Sequence, residues 1–172
     1  MIDSNNLTHF STIMESMIEL KHITIKNIPA VSNYIVNPEV SKFLTWKPYT
    51  NEIDIQKYFD YAVKCLDFPD EIFCIIFEDE IIGTAHLLYR PNESVQIGFG
   101  ILPRFWNKGL GYKVAIEIIQ YIRNSRWSKE TKRIIAVIHK KNVFASRIFI
   151  KLDFCLEKEN VKDNFDQYVL VL

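Results

Sequence analysis

The sequence predicts a single α/β domain with a mixed, mainly antiparallel twisted sheet flanked by helices. Its 172 residues, 48% of them apolar, suffice for one hydrophobic core but not for two ordinary domains. The centre of the chain carries strand-like apolar runs, and two segments with helical periodicity interrupt the later strands. This order of elements is typical of a mixed sheet covered by helices.

The N-terminal part of the chain predicts an extension followed by one strand. Residues 1–17 show no strong period, so we assign them to an N-terminal extension and place the domain at residues 18–172. Residues 18–26 alternate between apolar and polar side chains, which favours a half-buried strand.

Two helices are expected next. Pro29 favours the start of a short helix that the Asn37-Pro38 pair ends, because a residue before proline avoids helical angles. Thr50 or Asn51 is a good N-cap for a second helix, closed before Pro69. We expect this helix to bury Ile53, Phe59, Ala62, Val63 and Leu66.

The remaining segments predict the sheet and its two other helices. Residues 72–77 and 81–89 form an antiparallel hairpin around an acidic turn, and residues 94–102 form the next strand. From Leu110 onward the apolar residues fall on one helical face. The last predicted elements are a strand at 133–139, a helix from Asn142 to near Asp153, and strands at 154–157 and 165–172.

The composition excludes several classes of protein. The 21 basic and 21 acidic residues cancel, which disfavours a disordered tail, a polybasic membrane binder and a nucleic-acid coat. The first residues lack the regions of a signal peptide, and no apolar run approaches the roughly 18 residues of a membrane helix. Cys65, Cys74 and Cys155 lack CxxC spacing and read as reduced side chains. We therefore expect a cytoplasmic protein without metal, nucleic acid or membrane.

Charge is unevenly distributed along the chain. Residues 51–80 contain nine acids and two lysines, whereas residues 104–151 contain twelve bases and two acids. This split would let the C-terminal half hold an anion while the acidic half faces a cation. Scattered, solvated charges would give the same counts.

The five glycines cluster between Gly83 and Gly111, and the last two lie where a strand leads into a helix. Gly109 and Gly111 let an anion approach unpaired N–H groups at the positive end of that helix. The phosphate-loop motif of nucleotide triphosphatases is absent, and so is the dinucleotide-binding fingerprint. The alternative is that these glycines only permit a tight helix entry.

Three stretches of sequence carry a resemblance to a known family. IGFGILPRFWNKGLGYKVAIEII is similar to a strand, pyrophosphate loop and helix, with Trp106 at the first position of the pattern Gln/Arg-x-x-Gly-x-Gly/Ala. HKKNVFASRIFIKLDF resembles an NxxSxxxxxKxGF helix, and NPEVSKFLTWKPYTNEIDIQKYF resembles a segment that borders an acceptor site. Together they resemble the GNAT N-acetyltransferases, in particular the RimJ/RimL-like branch, and the resemblance spans about residues 18–172.

The resemblance implies the GNAT fold and acetyl-CoA as the cofactor. By it, the backbone from Trp106 to Gly111 holds the pyrophosphate, Ile101 and Leu102 hold the pantetheine and the thioester carbonyl, and Asn142 adds a contact. The implied cofactor-binding residues are Ile101, Leu102, Trp106, Asn107, Lys108, Gly109, Leu110, Gly111 and Asn142.

The implied reaction is direct attack of a primary amine on acetyl-CoA in a ternary complex. Departures from the family pattern complicate the roles, because Gln96 stands where a glutamate base is common and Phe149 where a tyrosine often protonates the thiolate. Ser146 or water then becomes the proton donor. Glu93, His86 and His139 are substitute candidates for the base.

The implied acceptor wall comprises Phe43, Trp46 and Tyr49, together with Gln96. The acceptor is a small-molecule or peptide amine, either a protein N-terminus or a small cationic amine. The protein is expected to be a monomer or a homodimer. Gln96 and Phe149 also motivate an alternative function, a non-catalytic acyl-CoA-binding sensor.

Overall fold

A computed structural model describes residues 17–44, 49–65 and 69–172. It contains a seven-stranded sheet in the order β1-β2-β3-β4-β5-β7-β6. Every neighbouring pair is antiparallel except β4 and β5, which run parallel. The predicted fold class, an α/β domain with a mixed and mainly antiparallel sheet, is therefore confirmed.

Among the N-terminal elements, the first strand and the second predicted helix are shorter than the sequence pattern predicts, and a four-residue helix at Pro38–Ser41 was not predicted. They are β1 (Glu19–His22), a 3-10 turn (Ile25–Asn27), α1 (Ile28–Ile35), α2 (Pro38–Ser41) and α3 (Glu52–Lys64). The strand expected over residues 18–26 ends at His22, because Thr24 starts the 3-10 turn. Pro29 lies in the first turn of α1, and Asn51 caps α3 by accepting a hydrogen bond from the Asp54 N–H.

The buried side of α3 differs from the predicted one. Phe59 and Ala62 are buried as expected, but Ile53 is 68% exposed and Val63 is 38% exposed. The helix instead buries Tyr58 beside Phe59, so its core stripe is rotated away from Ile53 and Val63. Leu66, the fifth residue expected there, lies outside the described residues.

The central and C-terminal elements agree closely with the sequence pattern, except that a four-residue helix at Trp127–Glu130 was not predicted. They are β2 (Glu71–Phe77), β3 (Glu80–Arg90), β4 (Ser94–Ile101), a 3-10 turn (Pro103–Phe105), α4 (Leu110–Asn124), α5 (Trp127–Glu130), β5 (Arg133–His139), α6 (Val143–Lys151), β6 (Cys155–Lys162) and β7 (Phe165–Val171). β6 extends five residues beyond its predicted end at Glu157, and all its residues are exposed. Asp153 takes the left-handed conformation, with φ of 65°, that a glycine would take after a helix.

Helices cover both faces of the sheet. Side chains alternate along a strand, so the partners in each register share a face. On one face, Phe73 and Phe99 contact Tyr121 of α4 and Phe149 of α6. On the other face, His86 contacts Tyr58 of α3. None of the described helices is long and apolar enough to cross a membrane.

Candidate functional site

The sheet opens between its two parallel strands. β4 and β5 pair only from Ser94 opposite Arg133 to Ile97 opposite Ala136. Beyond that point β4 pairs only with β3, and β5 pairs only with β7. A wedge therefore separates residues 98–101 of β4 from residues 137–139 of β5.

The backbone of β4 has hydrogen-bonding groups that face this wedge. The Leu102 N–H donates to the Ile82 carbonyl at 2.7 Å, on the β3 side. Because N–H groups alternate between the two sides of a strand, those of Phe99 and Ile101 point away from β3 and toward the wedge. An extended ligand lying in the wedge can pair with them as a missing strand would.

The loop before α4 has several N–H groups without partners. Asn107 has φ of 59° and Gly109 has φ of 74°, so the chain turns sharply into the helix. The N–H groups from Asn107 to Gly111 donate to no other group in the described part of the chain, and the first helical bonds come from Tyr112 and Lys113 to the Gly109 carbonyl. Such groups at the positive end of a helix form an anion site.

The two glycines of this loop have different roles. A Cβ on Gly109 would meet nothing within 4 Å, so this glycine serves the turn and leaves open space for a ligand. A Cβ on Gly111 would lie 3.1 Å from Ile148 Cδ1, so that glycine allows α4 and α6 to pack closely. The residues present therefore fit a diphosphate at Gly109.

The indole of Trp106 links the loop to the sheet. Its Nε1 donates to the Ile101 carbonyl at 2.8 Å, while the side chain remains 40% exposed. The Lys108 ammonium lies 5.4 Å from the centre of the Phe105 ring, at the edge of the loop. Leu102, also expected at the cofactor, has its N–H bound to Ile82 and its carbonyl bound to the Phe105 N–H.

The start of α6 lies beside the same wedge. Asn142 caps this helix, its Oδ1 accepting a hydrogen bond from the Ala145 N–H at 3.2 Å. The Ser146 hydroxyl donates to the Val143 carbonyl at 3.0 Å. Ser146 precedes by one turn the buried Phe149, whose ring contacts Phe99 of β4, so both side chains share the face of α6 toward β4.

Two of the three candidate bases, Glu93 and His139, bind other groups. Glu93 lies next to the first residue of β4, at the end opposite the wedge, and pairs with Lys132 at 2.7 Å. The His139 Nδ1 accepts the Lys141 N–H at 3.1 Å, and its ring lies against Phe43 and Phe165. The structure thus brings His139 to the wedge, but as part of a turn, and leaves Glu93 apart.

A cleft borders the wedge on the side of α1, and we name it the acceptor cleft. Its lining residues are Tyr34, Phe43, Leu44, His86, Leu88, Gln96, Ile97, Gly98, Phe99 and Val137. Phe43 and Gln96 were expected at the acceptor. Tyr49 instead packs on Tyr58 at 5.6 Å, and Trp46 lies outside the described residues.

Sequence reasoning predicted only Phe43 and Gln96 among these lining residues and missed the others, among them Tyr34, Leu88 and Val137. Tyr34 lies in a helix far away in sequence, and its hydroxyl lies 2.6 Å from where a Cβ of Gly100 would be. Leu88 and Val137 carry only the apolar signal of a strand. The structure places Leu88 opposite Gln96 in the register, so the two side chains share a face, which the sequence alone did not show.

His86 is the titratable ring of the acceptor cleft. Its Nε2 lies 3.3 Å from the Thr84 hydroxyl and 3.5 Å from the Tyr58 hydroxyl. Burial lowers the pKa of His86 to about 4, so its imidazole is neutral at neutral pH. Burial likewise raises the pKa of Tyr34 and Tyr58, which keeps both phenols neutral.

Comparisons with known proteins agree with this geometry. Residues 18–155 match the family model described as an acetyltransferase (GNAT) domain. The chain is 23% identical to "Uncharacterized N-acetyltransferase p20" of Bacillus licheniformis over 91% of this chain and 88% of that protein.

Solved structures share the fold. Spermidine N-acetyltransferase from Vibrio cholerae, in complex with CoA and spermine, superposes with a TM-score of 0.78 at 13% identity, covering 90% of this chain and 95% of that one. RimL, a ribosomal L7/L12 α-N-protein acetyltransferase in complex with coenzyme A, gives a TM-score of 0.76 at 15% identity, covering 91% and 94%.

Proposed function

The chain belongs to the GNAT acetyltransferases and uses acetyl-CoA, and we propose that it moves the acetyl group directly to a primary amine while both substrates are bound. One observation carries this proposal. The unpartnered N–H groups of residues 107–111 adjoin the open edge of β4, so one extended thioester can reach both.

Three groups of residues would hold the donor. The backbone from Trp106 to Gly111 takes the diphosphate, and the free edge of β4 takes the pantetheine arm. We assign the thioester carbonyl to the backbone N–H groups of β4 that face the wedge, those of Phe99 and Ile101. Asn142, at the cap of α6, completes the donor site.

Acetyl transfer needs a neutral amine nitrogen, a donor for the developing oxyanion and a proton for the leaving thiolate. The backbone N–H groups of β4 are fixed in place, so they can bind the developing oxyanion without reorganisation. The Ser146 hydroxyl, on the face of α6 toward β4, leaves the Val143 carbonyl, passes its proton to the thiolate and regains one from water. Much of the rate then comes from holding the two substrates in register.

We propose that water accepts the proton that the attacking amine loses. Gln96 has no group that accepts a proton at neutral pH, and its Oε1 is held by the Arg90 Nε at 2.9 Å. Glu93 and His139 already bind Lys132 and the Lys141 N–H, and the Nε2 of His86 faces the Thr84 and Tyr58 hydroxyls.

The donor site is tested by a substitution at Gly109. Valine cannot take φ of 74° without strain, so Gly109→Val should turn the N–H groups away and weaken acetyl-CoA binding about tenfold or more, measured by titration calorimetry. Asn107→Gly is the control, because glycine accepts the positive φ already present there. Equal affinity in Gly109→Val and the unchanged protein would count against the loop.

The proton donor is tested at Ser146. Ser146→Ala should slow thiol release about tenfold to a hundredfold while leaving acetyl-CoA affinity unchanged. Ser128→Ala is a matched control, because the Ser128 hydroxyl makes the same kind of bond to a carbonyl three residues earlier, at 2.9 Å. If both variants turn over alike, Ser146 has no role in protonation.

A second candidate function rests on Gln96 and Phe149, which replace a carboxylate and a phenol. A non-catalytic acyl-CoA sensor would need the donor site but not these groups. Thiol release from acetyl-CoA, with peptides and small amines as acceptors, separates the two functions. Tight acetyl-CoA binding with no amine-dependent release would favour the sensor.

A further inference from the structure

The acceptor cleft contains no carboxylate among its described lining residues. Seven of the residues that form it are aliphatic or aromatic, and the rest are His86, Gln96 and Gly98. His86 is neutral at neutral pH, and Gln96 carries no charge. The lining therefore offers an amine acceptor apolar contacts and neutral hydrogen-bonding groups.

Charged groups that touch this lining are basic. The Arg90 Nε donates to Gln96 at 2.9 Å, and the Lys42 ammonium lies 5.5 Å from the centre of the Phe43 ring. Arg90 forms no ion pair with a carboxylate in the described ranges, unlike Arg133, which pairs with Glu157.

Asp70, whose charge acts on His86, is not among the described lining residues of the cleft. Asp70 affects the pKa of His86 by its charge, in opposition to burial. One Asp70 oxygen accepts the Tyr89 N–H at 2.8 Å, and the other accepts the Tyr61 hydroxyl at 2.9 Å. The carboxylate is thus committed to β3 and α3.

The acidic residues that the sequence suggested for a cation lie elsewhere. Glu52, Asp54 and Asp60 are on α3, where Glu52 is exposed, Asp54 accepts from Asn51 and Asp60 accepts from Gln56. Glu78 and Asp79 form the exposed turn between β2 and β3. None of the described acids between residues 51 and 80 belongs to the lining of the acceptor cleft.

A second ammonium group in this cleft would lose water without gaining a counter-charge. Burial of an unpaired charge is costly, and the basic rim would add repulsion. An apolar body on the amine, in contrast, would gain contacts with Phe43, Leu44 and Leu88.

We infer that the acceptor is a monoamine: the reacting nitrogen is its sole cationic group and is attached to an apolar or aromatic body. Di- and polyamines are disfavoured. This inference rests on the proposed function and narrows its substrate class.

Binding to the protein saturated with CoA tests the charge preference apart from turnover. Phenethylamine and L-phenylalaninamide should bind at least about tenfold more tightly than 1,4-diaminobutane and spermidine, measured by titration calorimetry. Equal or tighter binding of the diamine or the triamine overturns the inference. Monoamine binding without thiol release from acetyl-CoA counts against acetyl transfer but leaves the inference in place.

A charge placed in the cleft tests the same idea from the protein's side. Leu88→Glu puts a carboxylate beside Gln96 and should raise the affinity for 1,4-diaminobutane about tenfold while lowering that for phenethylamine. Tyr89→Glu is the control, because residue 89 points to the opposite face of β3. Unchanged affinities in Leu88→Glu, or the same changes in both variants, overturn the inference.

Discussion

Two glycines in neighbouring strands have opposite surroundings. A Cβ on Gly83 would lie 2.0 Å from the Gly100 carbonyl oxygen, a backbone atom that cannot move aside without breaking the sheet. A Cβ on Gly98 would meet nothing within 4 Å. The first glycine is required by packing, and the second is not.

Gly83→Ala should therefore lower the free energy of unfolding by about 3 kcal/mol. Gly98→Ala is the matched comparison and should stay within about 0.5 kcal/mol of the unchanged protein. Urea unfolding followed by circular dichroism measures both values. Similar losses in the two variants would contradict the close approach of β3 and β4 at Gly83.

His86 should make the fold sensitive to acid. Its pKa is about 4 in the fold against an ordinary value of 6.5, so the unfolded chain takes up the proton first. The contribution of His86 to the free energy of unfolding is then constant well above pH 6.5 and falls by roughly 2 to 3 kcal/mol as the pH drops toward 4. His86→Gln should remove that part of the decline, measured by urea unfolding at several pH values. Parallel curves for the two proteins would refute it.

At single residues, the sequence predicts local features better than distant partners. The turn at Gly109 and the cap at Asn142 can be seen in the letters, because each depends on neighbours a few positions away. Tyr34 and His86 reach one cleft from a helix and a strand that are over fifty residues apart, and no local pattern encodes that. The conformation of Asp153 is not predictable from its residue type, because it takes the left-handed conformation typical of glycine without being glycine.

Glu71 ties β2 to three other elements. Its buried carboxylate accepts hydrogen bonds from Tyr121 at 2.6 Å and Trp127 at 3.1 Å, pairs with Arg126 at 2.6 Å, and lies 3.1 Å from His22 Nε2. Burial raises the pKa of Glu71, but the bonds from Tyr121 and His22 and the charge of Arg126 outweigh burial, so its pKa lies below the ordinary value.

Glu71→Gln should lower the free energy of unfolding by about 3 kcal/mol at pH 7, because it leaves Arg126 without its carboxylate and mismatches the remaining donors. Glu117→Gln, a change of the same chemistry on α4, should cost little. The difference between the two variants should shrink as the pH falls from about 4.5 through the lower pKa of Glu71, where the native carboxylate is itself protonated. Chemical unfolding at pH 7 and pH 3 measures it; a constant difference would contradict the cluster.

Elements with a strong period are predicted almost to the residue. The buried stripe of α4 and the bounds of β5 agree with the sequence because both elements lie against the core along their full length. α3 is amphipathic but packs on only part of the sheet, so its pattern left the buried side ambiguous. β6 has no buried face at all, and hydrophobic patterning could not mark its end.

Binding of acetyl-CoA should change amide hydrogen exchange at one place in the sheet. The Phe99 and Ile101 amides face the wedge and lack a strand partner, so they should exchange hydrogen quickly in the free protein and slowly with acetyl-CoA bound. Residues 94–97, already paired on both sides, serve as the internal reference. Hydrogen exchange read by mass spectrometry measures this, and protection of residues 98–101 that is the same with and without acetyl-CoA would contradict the wedge as the donor site.

The overall architecture is predictable because the order of strands and helices admits few topologies. The splayed centre of the sheet is implied by the resemblance to the GNAT family and not by the residue patterns of β4 and β5. Only the register shows where they part.

The opening also separates the two proposed binding sites onto different sides of the sheet. The loop proposed to bind acetyl-CoA lies at the start of α4 and beside α6, whereas α1 and the residues up to Leu44 border the acceptor cleft. Changes to the residues on the side of α1, whether by evolution or by engineering, can therefore alter the amine acceptor while the site proposed for acetyl-CoA stays the same.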